Sequence, residues 1–176
     1  ENILRKNPKH INYLAPTVTY FLTILAGTGH TAFSMIPVIV EVAKSENIKP
    51  SVPLSIAVVA SQIAITASPV SAAVVAMSGF LEPFGVNYPT LLAICISTTF
   101  VAVMITAFVM STFANNDLSS DPVYQERLAA GYVAPPREKN VDFHLKPGAK
   151  KSVLIFLIGI ICIVFYATAI SKNIGI

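Results

Sequence analysis

Charge is scarce in this chain. Acidic and basic residues make up 12% of its 176 positions, and Val52 to Leu81, Pro83 to Asn116 and Ser152 to Ser171 contain none at all. A soluble domain of this length needs a charged surface, so a composition that is 54% hydrophobic, with mean hydropathy +0.68, argues against one. Each uncharged stretch is long enough to cross a hydrocarbon core as a helix.

Other absences narrow the function. The two cysteines, Cys95 and Cys162, sit singly inside apolar runs with no CxxC, which suits small buried hydrophobes better than redox or metal chemistry. His10, His30 and His144 have no ligand spacing, so no metal centre is expected. There is no GxSxG or HExxH, the "GTGH" at Gly27 has no GxGxxG continuation, and no acid pair lies within the apolar runs. The chain therefore does not read as an enzyme, and no cofactor is expected. A net charge of +3, with the twelve Lys and Arg placed in connectors, gives no basis for nucleic-acid binding. The partner implied is a lipid bilayer. No initiator Met or signal-peptide pattern opens the sequence, and "SKNIGI" ends it just after an apolar run. Both features lead us to expect a segment of a longer protein.

What is present reads as an all-α membrane protein with interrupted helices. Residues 1–10 form a basic entry, and residues 11–44 form two apolar arms meeting at Gly27-Thr28-Gly29-His30. At ~1.5 Å per residue the arms are about 24 and 20 Å long, short of a ~30 Å hydrocarbon core, which suggests a re-entrant helical hairpin. Two short full spans would satisfy the same pattern. Residues 51–81 exceed one straight span and contain "ITASPVSAA". Pro69 removes a backbone donor there and disfavours helix at Ser68, so the span should be broken. Residues 89–114 read as an uninterrupted transmembrane helix, 115–151 as a solvated loop with a short helix around Tyr124 to Ala130, and 152–170 as the last transmembrane helix.

Charge asymmetry orients these segments. If the first two arms enter and leave on one side, that side receives three basic residues from the entry, two from Lys44 and Lys49, and six from the long loop. That makes eleven of the twelve, leaving only Lys172 opposite. A single continuous crossing over residues 11–43 would divide them eight against four. The positive-inside rule favours the hairpin parity, with the basic loops cytoplasmic.

The two breaks carry the chemistry. An unpaired backbone group in hydrocarbon is costly, so a broken helix persists only where protein or a water-filled cavity satisfies it. Two breaks close in sequence point to one shared polar site, built from new helix ends and from the hydroxyls of Thr28, Thr31, Thr66, Ser68 and Ser71. Helix N-termini suit a carboxylate, and C-terminal carbonyls suit a small cation. The substrate- or ion-binding candidates are Gly27, Thr28, Gly29, His30, Thr66, Ser68, Pro69 and Ser71. The competing reading gives the Gly, Ser and Pro residues to helix packing. Gln62, one turn before the second break, fits either helix packing or site lining, and Glu41 reads as an interfacial acid.

Five stretches, "LRKNPKHINYLAPTVTYFLTILAGTGH", "IPVIVEVAKSENIKP", "SQIAITASPVSAAVV", "LSSDPVYQERLAAG" and "GAKKSVLIFLIG", together resemble the Dcu family of bacterial anaerobic C4-dicarboxylate transporters. That resemblance implies a multi-pass protein of the cell inner membrane that exchanges fumarate, malate or aspartate for succinate by antiport. It also implies an ion-transporter superfamily fold with two inverted halves, each carrying a hairpin and a broken helix. Gly27 to His30 would then be the hairpin tip and Thr66 to Ser71 the unwound helix. Complete members are more than twice this length, so further spans are expected outside this sequence. Members often carry Asn where this chain has His30, which implies a neutral polar role for that side chain. A proton or sodium ion as coupled species, and assembly into a homo-oligomer, are left open. The alternatives are a permease for another organic anion and a non-transporting membrane assembly or sensory module.

Overall fold

A computed structural model describes residues 2–135 and 148–165. Residues 136–147 of the long loop, 166–170 of the last apolar run, and Lys172 lie outside the described residues. The described chain is helical: α1 (Asn2–Lys6), α2 (Ile11–Ala26), α3 (Thr31–Ser45), α4 (Ser51–Ala64), α5 (Ala72–Leu81), α6 (Tyr88–Phe113), α7 (Pro122–Ala129) and α8 (Ala149–Phe165).

The helix ends follow from local chemistry. Helix α2 stops at Gly27, whose left-handed backbone (φ 69°) turns its amide onto the Thr23 carbonyl at 2.8 Å, a conformation glycine adopts without steric cost. Helix α4 tightens into a 3-10 turn over Ile65–Ala67. The backbone then becomes extended at Ser68, the residue before Pro69. Helix α5 resumes at Ala72, and the two halves are bent by 42°. Asn87 caps α6 by accepting from the Thr90 amide at 2.9 Å, and Asp121 caps α7 through the Val123 and Tyr124 amides. That cap, with Pro122 following it, starts the short helix two residues before the expected Tyr124.

Packing centres on α2. Ile11 and Ala15 pack with Met35, Ile39 and Val42 of α3 and with Ala57 of α4. Tyr20 and Ile24 pack with Ala60, Ala64 and Ala67, and with Val103 of α6. Small residues on α4 let the three helices approach closely. Helix α6 is the one unbroken described helix long and apolar enough to cross a membrane; the bent α4–α5 pair passes the same test as a unit. Its outward face exposes Ile94, Val101, Ile105, Phe108 and Phe113.

The start of α2 and the end of α3 lie at the same end of the molecule. Arg5 pairs with Glu41 at 3.0 Å, and the Asn12 amide donates to Asn116, just beyond α6, at 3.3 Å. The connectors at this end are clasped together. An isolated antiparallel bridge joins Ile48 to Asp117, flanked by Lys49 N–H to Asn116 O at 2.8 Å and Leu118 N–H to Asn47 O at 3.0 Å. Lys49 also meets the Asp121 carboxylate at 2.7 Å. Residues 11–45 are therefore a helical hairpin that folds back on itself at Gly27 to His30.

Candidate functional site

The two helix breaks touch. From the α4 side, the Ser61 hydroxyl donates to the Gly29 carbonyl at 3.0 Å. The same hydroxyl shares a hydrogen bond of 2.7 Å with Thr23 of α2, which is in turn bonded to Thr31, the first residue of α3. From the second break, the Ser68 hydroxyl donates to the Ile24 carbonyl at 2.6 Å and accepts from the Val70 amide at 3.3 Å. Ile24 lies in the last turn of α2, where carbonyls lack intrahelical donors, so Ser68 satisfies a group that hydrocarbon would leave costly. The Tyr88 hydroxyl, in the first turn of α6, donates to the Pro69 carbonyl. The breaks thus sit beside the first turns of α6, where Cys95 also packs against the cluster of Ala60, Ala64 and Ala67.

Close approach explains the glycines. A Cβ at Gly27 would lie 2.6 Å from a Val70 methyl, and one at Gly29 would lie 2.5 Å from the Gln62 amide nitrogen. Each glycine of the tip therefore faces a residue of the broken helix.

The remaining candidates are placed differently. The Thr28 hydroxyl is half-buried and accepts from the His30 amide at 3.4 Å. His30 is exposed just ahead of α3, its ring 5.8 Å from that of Phe33. Thr66 is exposed and returns its hydroxyl to the Ile63 carbonyl of its own helix at 2.7 Å, so it does not join the shared cluster. Ser71 is buried with extended backbone immediately before α5, and its side chain makes no capping hydrogen bond. The first amides of α5, at Ala72 and Ala73, therefore remain without a side-chain cap or an intrahelical acceptor. Thr23, Ser61 and Tyr88 were not among the sequence candidates. Thr19 and Thr23, one turn apart and both fully buried, together with the small-residue face Ala57, Ala60, Ser61 and Ala64, are the pattern that marks Thr23 and Ser61; no such pattern marks Tyr88.

The site is built from neutral dipoles. The C-terminus of α2, the N-termini of α3 and α5, and the hydroxyls of Thr23, Thr31, Ser61, Ser68 and Tyr88 converge without a charged side chain from residues 52–81.

Residues 1–175 match the protein family described as an anaerobic C4-dicarboxylate membrane transporter. The chain belongs to this family. Its curated relatives include the C4-dicarboxylate transporter DcuA of Wolinella succinogenes, 68% identical over the whole chain and 40% of that protein. The DcuA proteins of Helicobacter pylori strain J99 and Escherichia coli K12 are 64% and 49% identical over the whole chain, covering 39% and 40% of their lengths. The chain thus spans about two fifths of the length of these family members. No solved structure matches it.

Proposed function

We propose that this chain is part of a C4-dicarboxylate carrier of the bacterial inner membrane that works by antiport, exchanging fumarate, malate or aspartate for succinate. The observation that carries this reading is the meeting of the hairpin tip with the broken helix through Ser61 and Ser68, in a member of a membrane-transporter family. A dicarboxylate needs hydrogen-bond donors that are not already spent. The uncapped amides at the start of α5 supply them with the positive end of a helix dipole, without the cost of burying a cation. The second carboxylate and the opposing wall would come from the rest of the carrier. In this reading residues 11–45 are a re-entrant hairpin entering from the cytoplasm, and the tip with its broken helix shuttles between two access states.

Labelled fumarate uptake into proteoliposomes of the full-length carrier tests the proposal. Uptake that is saturable and requires internal succinate is the expected result. Uptake driven only by a different class of organic anion, or none at all, would favour an alternative permease or a module that uses the breaks for packing.

A further inference from the structure

We infer that Gln62 is a specificity-determining residue of this carrier, its side-chain amide donating a hydrogen bond to a substrate carboxylate at the hairpin tip. The inference rests on the transport reading above and adds a side-chain contact to its backbone donors. The three atoms nearest to a Cβ built at Gly29 all belong to the Gln62 amide, at 2.5 Å for Nε2 and 3.0 Å for both Cδ and Oε1. Gly29 is not in the left-handed region of backbone space. A Cβ at this position would therefore displace the Gln62 amide, the far end of a flexible side chain, from its place against the tip.

Ser61 holds this arrangement in place. It sits next to Gln62 in α4, is fully buried, and donates to the carbonyl of the same Gly29. Gln62 itself is exposed, and among the described residues its amide makes no hydrogen bond. A side chain with two donors and one acceptor thus lies against the tip with its donors unused. An amide donates to a carboxylate without adding charge, and it turns its NH2 toward an anion because no other partner fixes its orientation. A hydrogen bond to an ionised carboxylate is stronger than one to a neutral acceptor, and that difference favours an anion over a neutral ligand of the same shape.

Kinetics of fumarate exchange by the full-length carrier in proteoliposomes, with membrane abundance measured for each variant, test the inference. Gln62→Ala should raise KM about tenfold with a smaller change in maximal rate, and Gln62→Glu should raise it further by opposing the substrate's charge. Lowering the pH toward 5 should partly restore Gln62→Glu relative to wild type at the same pH, because a protonated Glu is a near isostere of Gln that again donates. Recovery of KM with no accompanying change in membrane abundance or unfolding temperature separates substrate binding from packing. Gly29→Ala should raise KM in the wild-type background but by less than about twofold in a Gln62→Ala background, since the amide it would displace, which holds the three atoms nearest to a Cβ there, is then gone. Wild-type KM in Gln62→Ala and Gln62→Glu, or independent effects of the Gly29 and Gln62 substitutions, would overturn the role of Gln62 while leaving the transport reading intact. Absence of exchange by the wild-type carrier would overturn both.

Discussion

The Ser61 hydroxyl of α4 reaches the Gly29 carbonyl at the tip of the α2–α3 hairpin across 3.0 Å, and the residue that donates is completely buried. This contact makes the tip and the first half of the broken helix one unit. A motion that displaces the tip must either carry α4 with it or leave a carbonyl unpaired in an apolar setting.

Ser61→Ala should destabilise the full-length carrier by about 1–3 kcal/mol, the cost of leaving a buried acceptor unsatisfied. Thr23→Val removes another member of the same chain of hydroxyls, so the double variant should lose less than the sum of the single losses. Thermal unfolding in detergent measures both effects. Additive losses would show that the two hydroxyls act separately.

Ser68→Ala and Thr28→Val should behave differently although both delete a hydroxyl at a helix break. Ser68 is buried and holds two backbone groups, Ile24 O and Val70 N–H, so its loss should lower stability by about 1–3 kcal/mol along with exchange. Thr28 is only half-buried, and its hydroxyl accepts one long bond of 3.4 Å. Its replacement should leave the unfolding temperature near wild type, and any fall in exchange would then report on the site. Equal unfolding temperatures for the two variants would contradict this division.

The breaks were legible in the sequence because Gly-Thr-Gly and Ser-Pro each oppose helix by a local mechanism. Their meeting followed from the cost of unpaired backbone groups in hydrocarbon. The particular hydroxyls were harder to read. Within an apolar helix a Ser or Thr can satisfy itself on a carbonyl one turn back, as Thr19 does on Ala15 at 2.7 Å and Thr66 does on Ile63. Composition alone does not separate these from Ser61, which reaches across to another helix. The clasp between residues 47–49 and 116–118 left no pattern either, since one isolated bridge has no periodicity to detect.

That clasp has a defined pH response. Donation from the Lys49 ammonium holds the Asp121 carboxyl below its ordinary range, and the Ser119 hydroxyl does the same for Asp117. A lowered folded-state value means the contribution is present above the ordinary carboxylate range and is lost as pH falls through the folded value. Hydrogen exchange across residues 116–129 should therefore stay constant from neutral pH down to about 5, after correction for intrinsic rates, and rise only below about 4. Asp121→Asn keeps a capping side chain for α7 but loses the ion pair with Lys49, so it should loosen the clasp at neutral pH. Unchanged protection in that variant would show that the pair contributes nothing.

Orientation in the membrane can be read by labelling. The proposed topology puts Ser120 on the cytoplasmic side and Glu82 outside, in line with the basic residues gathered at the end marked by Arg5, Lys44 and Lys49. In a carrier lacking Cys95, Cys162 and any other cysteine, a cysteine at Glu82 should react with an impermeant thiol reagent in intact cells. One at Ser120 should react only after the membrane is opened. The opposite pattern would invert the assignment.

Gly27 separates two constraints that one substitution normally mixes. Its left-handed backbone costs an L-residue about 1–2 kcal/mol whatever surrounds it, and its missing side chain leaves space for the Val70 methyl that would otherwise lie 2.6 Å from a Cβ. Gly27→Ala should therefore lose more than the backbone cost alone, because the Val70 backbone is tied through the Ser68 hydroxyl to the Ile24 carbonyl in the last turn of α2 and cannot withdraw freely. Adding Val70→Ala removes the collision and leaves the backbone cost, so the double variant should recover part of the stability and stop short of Val70→Ala by about 1–2 kcal/mol. Unfolding of the four proteins under identical conditions gives both quantities. If Val70→Ala restores nothing, the tip and the broken helix do not meet at this point, and the close approach of the two breaks would have to be abandoned.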